Sequence, residues 1–315
     1  DCPTDLAGRA ECALNLLDVH HDATGAVEAL CTEDSLHLDL EADLERRGTL
    51  EPDRLPTSFL LQALGVLRVC GVIAISGALA PARIARLLNE QAALLDAHLA
   101  RESASTSPKD MRFAERSHLR YELKYPINAT LGALDEQVLS NGPLRDVVTL
   151  TFGLPTNNLQ LDTISHVTSM PGAPTQHWHR DTTGELFPDE KYRLPPHCLT
   201  VFIALDEIED QHGPTEFLLG SHITCASKDK VSMQPTNEGD VAVDQCSHTM
   251  GQPWLGTGKA GTVIIFDSRV MHRGGPNRSG RRRPVMYITW AKEWFTDVIN
   301  FRQACAIQYE LMAKC

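Results

Sequence analysis

The second half of the chain consists of short β-rich segments separated by glycine and proline, and no other feature constrains the fold as much. Five such segments follow one another: Leu159–Met170, Leu199–Leu205, Glu216–Leu219, Thr262–Phe266 and Val285–Trp290. Strands of this length, interrupted by turn residues this often, are typical of a β-sandwich or β-barrel. The sequence therefore predicts an all-β core over about residues 159–295.

Helical patterns precede this core. Apolar residues at helical spacing predict a helix over Ser58–Val69, followed by a short strand, Val72–Ile75. Pro81 is well placed to open a second helix, Pro81–Ala100, with one apolar stripe. We therefore expect a helical layer over residues 57–150 beside the β core. We also expect a C-terminal helix over about residues 296–314.

The negative charge of the chain is concentrated at its N-terminus. The chain has 41 acidic and 29 basic side chains, a net charge of −12. Residues 1–56 carry 14 acidic and 4 basic side chains, which leaves 27 and 25 for residues 57–315. We interpret residues 1–56 as an acidic extension, with helix potential around Ser35–Arg47, that packs against an enzyme domain of residues 57–315. An acidic chain lacks the basic face of a general nucleic-acid binder, so we expect no nucleic-acid partner.

Membrane and compartment signals are few. The apolar stretch Phe59–Leu79 contains Gln62 and Arg68, and charge inside a membrane span is costly, so we predict no membrane span. The 9 cysteines include no CxxC pair. We expect mostly reduced thiols in a cytoplasmic protein, with a few disulfides as the alternative. Asp1 stands where Met would begin a chain, so a removed targeting peptide stays open, as does the oligomeric state.

Candidate metal ligands lie inside the β-rich part of the chain. His179 and Asp181 are two residues apart, and on a strand both side chains point to one face, which suits two ligands of one metal. His272 ends a β segment before a glycine-rich turn, and Arg283 begins the next strand. Two histidines and a carboxylate leave one face of a metal open, as in non-haem Fe(II) oxygenases. An arginine nearby can hold a carboxylate of a co-substrate.

Three segments that carry these residues resemble the phytanoyl-CoA dioxygenase family of Fe(II)/2-oxoglutarate oxygenases, nearer to its microbial and algal members. They are residues 169–181 (SMPGAPTQHWHRD), 213–222 (GPTEFLLGSH) and 272–283 (HRGGPNRSGRRR). The resemblance extends over roughly residues 60–295. It implies a mainly β fold with flanking helices, whose core is a double-stranded β-helix, or jelly roll. It also implies Fe(II) as cofactor, with 2-oxoglutarate and O2 as co-substrates.

The resemblance also implies roles for single residues. It assigns His179, Asp181 and His272 to Fe(II), and Arg283 to the distal carboxylate of 2-oxoglutarate. Phe202 matches an aromatic position that lies beside 2-oxoglutarate in the family. The alternative for Phe202 is a purely structural role in the apolar core.

Other polar residues near these motifs leave alternatives open. His166 lies in a predicted strand and is expected either to line the co-substrate pocket or to be hydrogen-bonded in the core. His177 is the alternative to His179 as a ligand, although no acidic residue follows it at the +2 position. Arg281 and Arg282 are candidates for binding an anionic substrate, or belong to a solvated basic hairpin.

The expected activity is hydroxylation of an unactivated C–H bond in a small organic substrate, with succinate and CO2 as co-products. Family members that halogenate lack the carboxylate at the position of Asp181, so its presence argues against halogenation. Oxidative cyclisation or desaturation in secondary-metabolite biosynthesis, as in kainoid-forming members, is the alternative outcome. Two alternatives belong to other classes: a non-catalytic jelly-roll binding protein, and a zinc hydrolase, which would leave Arg283 without a role.

Overall fold

The computed structural model describes residues 12, 23–40, 42, 57–103, 113–124, 143–153, 159–182, 195–224 and 252–295. In these residues the helices are α1 (Ala23–Leu30), α2 (Glu33–Leu36), α3 (Thr57–Cys70), α4 (Pro81–Ser103), α5 (Pro143–Phe152) and α6 (Ser221–Thr224). The strands are β1 (His37–Asp39), β2 (Val72–Ser76), β3 (Phe113–Ser117), β4 (Arg120–Lys124), β5 (Leu159–Ser169), β6 (Cys198–Ala204), β7 (Thr215–Phe217), β8 (Trp254–Leu255), β9 (Val263–Asp267), β10 (His272–Gly274) and β11 (Arg283–Lys292).

The strands form two sheets. The major sheet has the order β1-β2-β9-β6-β11-β5-β4-β3, and the minor sheet has the order β10-β7-β8. All neighbouring strands are antiparallel except β1 and β2, which pair in parallel. Phe217 of the minor sheet packs on Phe266 of the major sheet, with ring centroids 5.1 Å apart. Two facing, largely antiparallel sheets confirm the predicted jelly-roll core.

The inner wall of the major sheet is the face that looks toward the minor sheet. Arg283 defines this face, because its Nη1 donates to Thr215 Oγ1 of the minor sheet at 3.5 Å. Residues directly opposite on antiparallel strands share a face, and residues two apart on one strand do too. The register therefore places these side chains on the inner wall: Arg120, Glu122, Ser165, Val167, Ser169, Phe202, Ala204, Arg283, Val285 and Tyr287.

Helices cover the opposite face of the major sheet. On β5 this face carries Thr168, whose hydroxyl accepts a hydrogen bond from the Gln91 side chain of α4. The region predicted as a helical layer thus contains α3, α4 and α5, as expected. It also contains β2, β3 and β4, which extend the major sheet on both sides. The strand predicted over Val72–Ile75 corresponds to β2. The hairpin of β3 and β4 was not predicted, and β4 joins the sheet by pairing with β5, which lies far along the sequence.

Part of the acidic extension shares the core of the major sheet. Ala26, Leu30 and Leu36 are fully buried in the same apolar cluster as β2 and β9. Within the helix predicted around Ser35–Arg47, residues 37–39 instead form strand β1, which pairs with β2, whereas Leu36, Leu40 and Ala42 are helical. Backbone pairing to this sheet edge and burial of Leu38 outweigh local helix propensity here. The C-terminal helix expected over residues 296–314 lies outside the described residues.

The cysteines differ from the prediction of mostly reduced thiols. Cys31 of the α1–α2 turn is joined by a disulfide to Cys70 at the end of α3. Cys12 is also disulfide-bonded, whereas Cys198 is a buried free thiol. The prediction is therefore wrong for three of the four cysteines in the described residues. The spacing of the cysteines in the sequence could not show that α1 packs beside α3. Disulfides persist mainly in oxidising compartments, so these cysteines give no support to a cytoplasmic location.

None of the helices in the described ranges combines the length and the apolar character that crossing a bilayer requires.

Candidate metal centre

Two histidines that are distant in sequence meet through a backbone bridge. The N–H of His179 donates to the carbonyl of His272 at 2.9 Å, and the N–H of His272 donates back to His179 at 2.9 Å. They thus form a hydrogen-bonded antiparallel pair, which holds two Cα atoms directly opposite each other. Their ring centroids lie 4.4 Å apart. The site is therefore built on backbone pairing to β10 rather than on a flexible loop.

Asp181 completes a three-residue cluster. Its backbone N–H donates to the carbonyl of Ser268 at 2.9 Å, and its Oδ2 accepts from the Thr200 hydroxyl at 3.2 Å. Its Oδ1 lies 3.6 Å from Nε2 of His272. One ligand atom from each of His179, Asp181 and His272 lies within 4.8 Å of the others, close enough for all three to hold one metal ion.

Both imidazoles are oriented by the backbone. Nδ1 of His179 lies 2.9 Å from the carbonyl oxygen of His177, and Nδ1 of His272 lies 2.9 Å from the carbonyl oxygen of Val270. When Nδ1 donates to a carbonyl, Nε2 carries the lone pair that binds a metal. Burial, together with the charge of His272, lowers the pKa of His179 to about 4, so its ring is neutral near pH 7.

Arg283 is a buried cation on the inner wall. Its side chain is 5% exposed, and among the described residues its Nε has no hydrogen-bond partner and no carboxylate pairs with it. Burial, and then the charge of Arg120, lowers the pKa of Arg283 to about 9, so it is still charged near pH 7. A buried charge without a counter-ion is costly, and a carboxylate from a ligand would relieve that cost. Its partner Thr215 lies two residues along β7 from Phe217, which pairs with His272.

Phe202 shares the inner wall with Arg283. Its ring lies 4.9 Å from Phe266 and 6.0 Å from Tyr287. Phe266 in turn lies 4.9 Å from the ring of His272. Phe202 is thus on the face of the sheet that carries the site, one ring removed from a candidate metal ligand.

His166 lies on the opposite face. It pairs with Met286 on β11 and with Leu123 on β4, whereas Arg283 and Tyr287 pair with Ser169 and Ser165. Its side chain is buried, and burial lowers its pKa to about 3. The assignment of His166 to the co-substrate pocket therefore disagrees with the strand register, because an odd offset along a strand reverses the direction of the side chain.

The remaining basic candidates are separate from the cluster. The His177 side chain is exposed, and His177 is not one of the three clustered residues. Arg281 contacts His212 Nε2 at 2.9 Å and lies 3.7 Å from Asp206, and Arg282 lies 2.7 Å from Asp96 of α4.

The structure adds two charged residues that the sequence motifs did not indicate. Glu122 of β4 is buried on the inner wall, and Arg116 of β3 forms an ion pair with it. Their only sequence signal is the alternation along β4, because the strands that surround Glu122 come from distant parts of the chain.

A model of the family described as phytanoyl-CoA dioxygenase (PhyH) matches residues 67–285. The dioxygenase trt7 of Aspergillus terreus is 33% identical over 113 residues, which cover 35% of this chain and 33% of that protein. The chain therefore spans about one third of the length of this curated relative.

Solved structures share the fold. AviO1 from Streptomyces viridochromogenes Tue57 is 20% identical with a TM-score of 0.55, covering 79% of this chain and 99% of that one. The epimerase SnoN from nogalamycin biosynthesis, described as non-heme and alpha ketoglutarate dependent, is 15% identical with a TM-score of 0.55, covering 78% of this chain and 87% of that one. A SnoN structure contains Fe3+ and alpha ketoglutarate.

The family match and the His-Asp-His cluster, a donor set that suits non-haem iron, together define a dioxygenase, and its fold is shared with these solved structures. The chain belongs to the phytanoyl-CoA dioxygenase family, whose model matches well over half of its length.

Proposed function

We propose that this protein is an Fe(II)- and 2-oxoglutarate-dependent dioxygenase that hydroxylates an unactivated C–H bond of a small organic substrate, with succinate and CO2 as co-products. One observation carries the proposal: the His179–Asp181–His272 cluster faces an inner wall that also carries Arg283, a buried cation that no carboxylate of the described residues neutralises. A metal site and an anion site on facing sheets match the two ends of 2-oxoglutarate.

The donor set fits a divalent iron. One carboxylate balances part of its charge, and with the two imidazoles it leaves the remaining positions open for other ligands. His179 and Asp181 are only partly buried, so the cluster is open on one side. When bound, iron supplies the oxygen activation that amino-acid side chains lack. The chain itself fixes the ligands, through the two carbonyls that orient the imidazoles and the Thr200 hydroxyl on Asp181.

The anion site fits the distal carboxylate of 2-oxoglutarate. The planar guanidinium of Arg283 presents two parallel donors to a carboxylate, and Thr215 Oγ1 is within reach of the same ligand. Phe202 and Tyr287 extend the inner wall from Arg283 and exclude water from the body of the ligand. Arg283 therefore positions the co-substrate and remains positively charged throughout.

Two alternatives fit these residues less well. A zinc hydrolase would use the three ligands but would leave the buried charge of Arg283 unneutralised. A non-catalytic binding protein would have no need of a metal cluster and a matched anion site together. For an oxygenase of this class, the carboxylate of Asp181 favours hydroxylation over halogenation.

Succinate release tests the proposal. The purified protein, supplied with Fe(II), ascorbate, 2-oxoglutarate and a panel of small organic acids and amides, should release succinate. Asp181→Ala should abolish this release by removing a ligand. Arg282→Gln is the matched control, because Arg282 lies beside Arg283 but pairs with Asp96 on α4. Unchanged succinate release by Asp181→Ala would contradict the proposal.

A further inference from the structure

Arg116 lies at a bulge in the edge strand β3, two residues from Ala114, which pairs with Glu122 of the inner wall. The pairing of β3 with β4 matches Glu115 with Tyr121 and Ser117 with Arg120, so Arg116 has no residue opposite it. Bulges occur next to active sites, where they redirect a side chain. Nε of Arg116 donates to Oε2 of Glu122, a residue of the inner wall.

The hairpin that carries this bulge is held in a strained shape. Leu119, in the turn between β3 and β4, has φ of 61°, which a branched residue rarely adopts. The turn is stabilised by two hydrogen bonds of 2.9 Å: the Leu119 N–H donates to Oε1 of Glu115, and its carbonyl accepts from the Met170 N–H. Strain of this kind persists where the surrounding structure enforces it, and it is frequent at functional sites.

Glu122 fixes one edge of the Arg116 guanidinium. Its carboxylate is 1% exposed, and its Oε1 accepts from the hydroxyls of Ser165, at 2.9 Å, and Tyr287. Burial opposes ionisation of Glu122, but the charge of Arg116 lowers its pKa overall. A buried carboxylate needs such a counter-ion. Residues of β4, β5 and β11 thus fix the position of the Glu122 carboxylate. This carboxylate in turn accepts the hydrogen bond from Arg116.

The other edge of the guanidinium is available to a ligand. Arg116 is 41% exposed, and among the described residues its only hydrogen bond is the one from Nε to Glu122. A purely structural pair would be stronger with two parallel hydrogen bonds. Instead both terminal nitrogens have no hydrogen-bond partner in the described part of the chain. The pair lies on the wall that carries the site, because the hydroxyl of Tyr287 donates to Glu122 and the Tyr287 ring lies 6.0 Å from Phe202. Phe202 is one ring removed from His272, through Phe266.

We propose that Arg116 binds a carboxylate of the substrate, so that the substrate is an organic acid oxidised at a carbon held beside the metal cluster. This inference rests on the proposed function and adds the substrate class. It separates two anion sites: Arg283, deep on the inner wall, for the co-substrate, and Arg116, at the exposed edge of the sheet, for the substrate. Arg281 and Arg282, the other basic candidates, already contact side chains of other elements.

Matched pairs of acids and amides test this site. Calorimetry without oxygen would measure binding of monocarboxylic acids of graded length, and of their primary amides, to protein loaded with Fe(II) and 2-oxoglutarate. We expect the acids to bind at least about tenfold more tightly, as hydrogen bonds to a charged group predict. In Arg116→Lys the ammonium neutralises Glu122 but cannot offer two parallel donors, so most of this preference should disappear.

A second variant guards against misfolding. Arg116→Gln combined with Glu122→Gln removes both charges and leaves no buried charge unpaired, and it should bind acid and amide equally. Arg282→Lys is the control for a charge-conserving arginine change and should keep the preference. The affinity for 2-oxoglutarate should stay the same in all three variants.

Two results would overturn the inference: amides that bind wild type as tightly as acids, or an acid preference that survives in the double variant. Failure of the proposed function is visible separately, as wild-type protein that does not bind 2-oxoglutarate. In that case the same acid and amide pairs, titrated into the protein alone, still measure anion binding at Arg116.

Discussion

Replacing Arg283 by methionine should stabilise the protein without ligand and destroy its affinity for 2-oxoglutarate. Methionine keeps an unbranched side chain but removes the buried charge. The pKa of Arg283 is about 9, because burial and Arg120 disfavour the cation. This lies roughly three pH units below the usual range for arginine, so the folded protein near pH 7 bears a cost of about 4 kcal/mol.

The sign of this effect distinguishes Arg283 from a structural cation. For a base whose pKa is lowered by folding, the cost is fully present below the folded pKa, begins to fall as the pH rises above about 9, and disappears only at the usual pKa of arginine. The melting temperature of ligand-free Arg283→Met should therefore exceed that of wild type near pH 7 by several degrees, at about 2–4 °C per kcal/mol. The difference should be constant below about pH 9 and should shrink above it by about 1.4 kcal/mol per pH unit.

The co-substrate should reverse the order. The distal carboxylate neutralises Arg283, and removal of one partner from such a buried pair costs roughly 3–5 kcal/mol, or a factor of about 100 to 1,000 or more in affinity. Differential scanning fluorimetry with and without 2-oxoglutarate, together with calorimetry, measures both effects. A variant that melts lower than wild type without ligand, and binds 2-oxoglutarate within about threefold of wild type, would refute the reasoning.

Three further predictions concern an ion pair, a disulfide and a buried histidine. Asp267→Asn removes the carboxylate that pairs with the buried guanidinium of Arg269 and should lower the free energy of unfolding by about 3–5 kcal/mol in chemical denaturation. Burial raises the pKa of Asp267, but the charge of Arg269 lowers it to about 2 overall. The stabilisation by this ion pair should therefore be present above about pH 4 and vanish as the pH falls toward 2. A loss of stability in Asp267→Asn that does not change with pH would contradict this. Reduction of the Cys31–Cys70 disulfide, whose cysteines are 39 residues apart, should cost about 4 kcal/mol, and an unchanged unfolding midpoint after verified reduction would count against this. The His166→Leu variant should bind 2-oxoglutarate as tightly as wild type. A tenfold loss of affinity would mean that His166 lines the co-substrate pocket.

Local patterns predicted the strands of the core well. The segment Leu159–Met170 corresponds to β5, Leu199–Leu205 to β6, and Val285–Trp290 to most of β11. Turn residues and alternation are properties of neighbouring residues, so they can be read from one stretch of sequence. The His-x-Asp spacing is equally local.

Pairing between distant strands could not be predicted in this way. The proximity of His179 and His272 was implied by the family resemblance alone. The bridge between them consists of backbone hydrogen bonds, which do not depend on the identity of the side chains. Strand register decides which face a residue occupies, and the pairing of His166 with Met286 turns His166 away from the inner wall. The Arg116–Glu122 pair depends on the register of three paired strands, which has no sequence signature.

The acidic extension shows the same limit. It was expected to pack against the enzyme domain, but its charge gave no indication of which residues pack; in the described part, Ala26, Leu30 and Leu36 are buried. The disulfide between Cys31 and Cys70 joins α1 to the end of α3, next to β2. Net charge reports the exposed face of such a segment and says little about the face that packs.

The most direct test of the central claim is the ratio of succinate formed to 2-oxoglutarate consumed, with Fe(II) and oxygen present. The account predicts a one-to-one ratio in wild type. It predicts no succinate from Asp181→Ala or His179→Ala, and wild-type rates from His177→Ala, which keeps the backbone carbonyl that orients His179. Consumption of 2-oxoglutarate that continues in Asp181→Ala, or is lost in His177→Ala and kept in His179→Ala, would contradict the assigned metal centre.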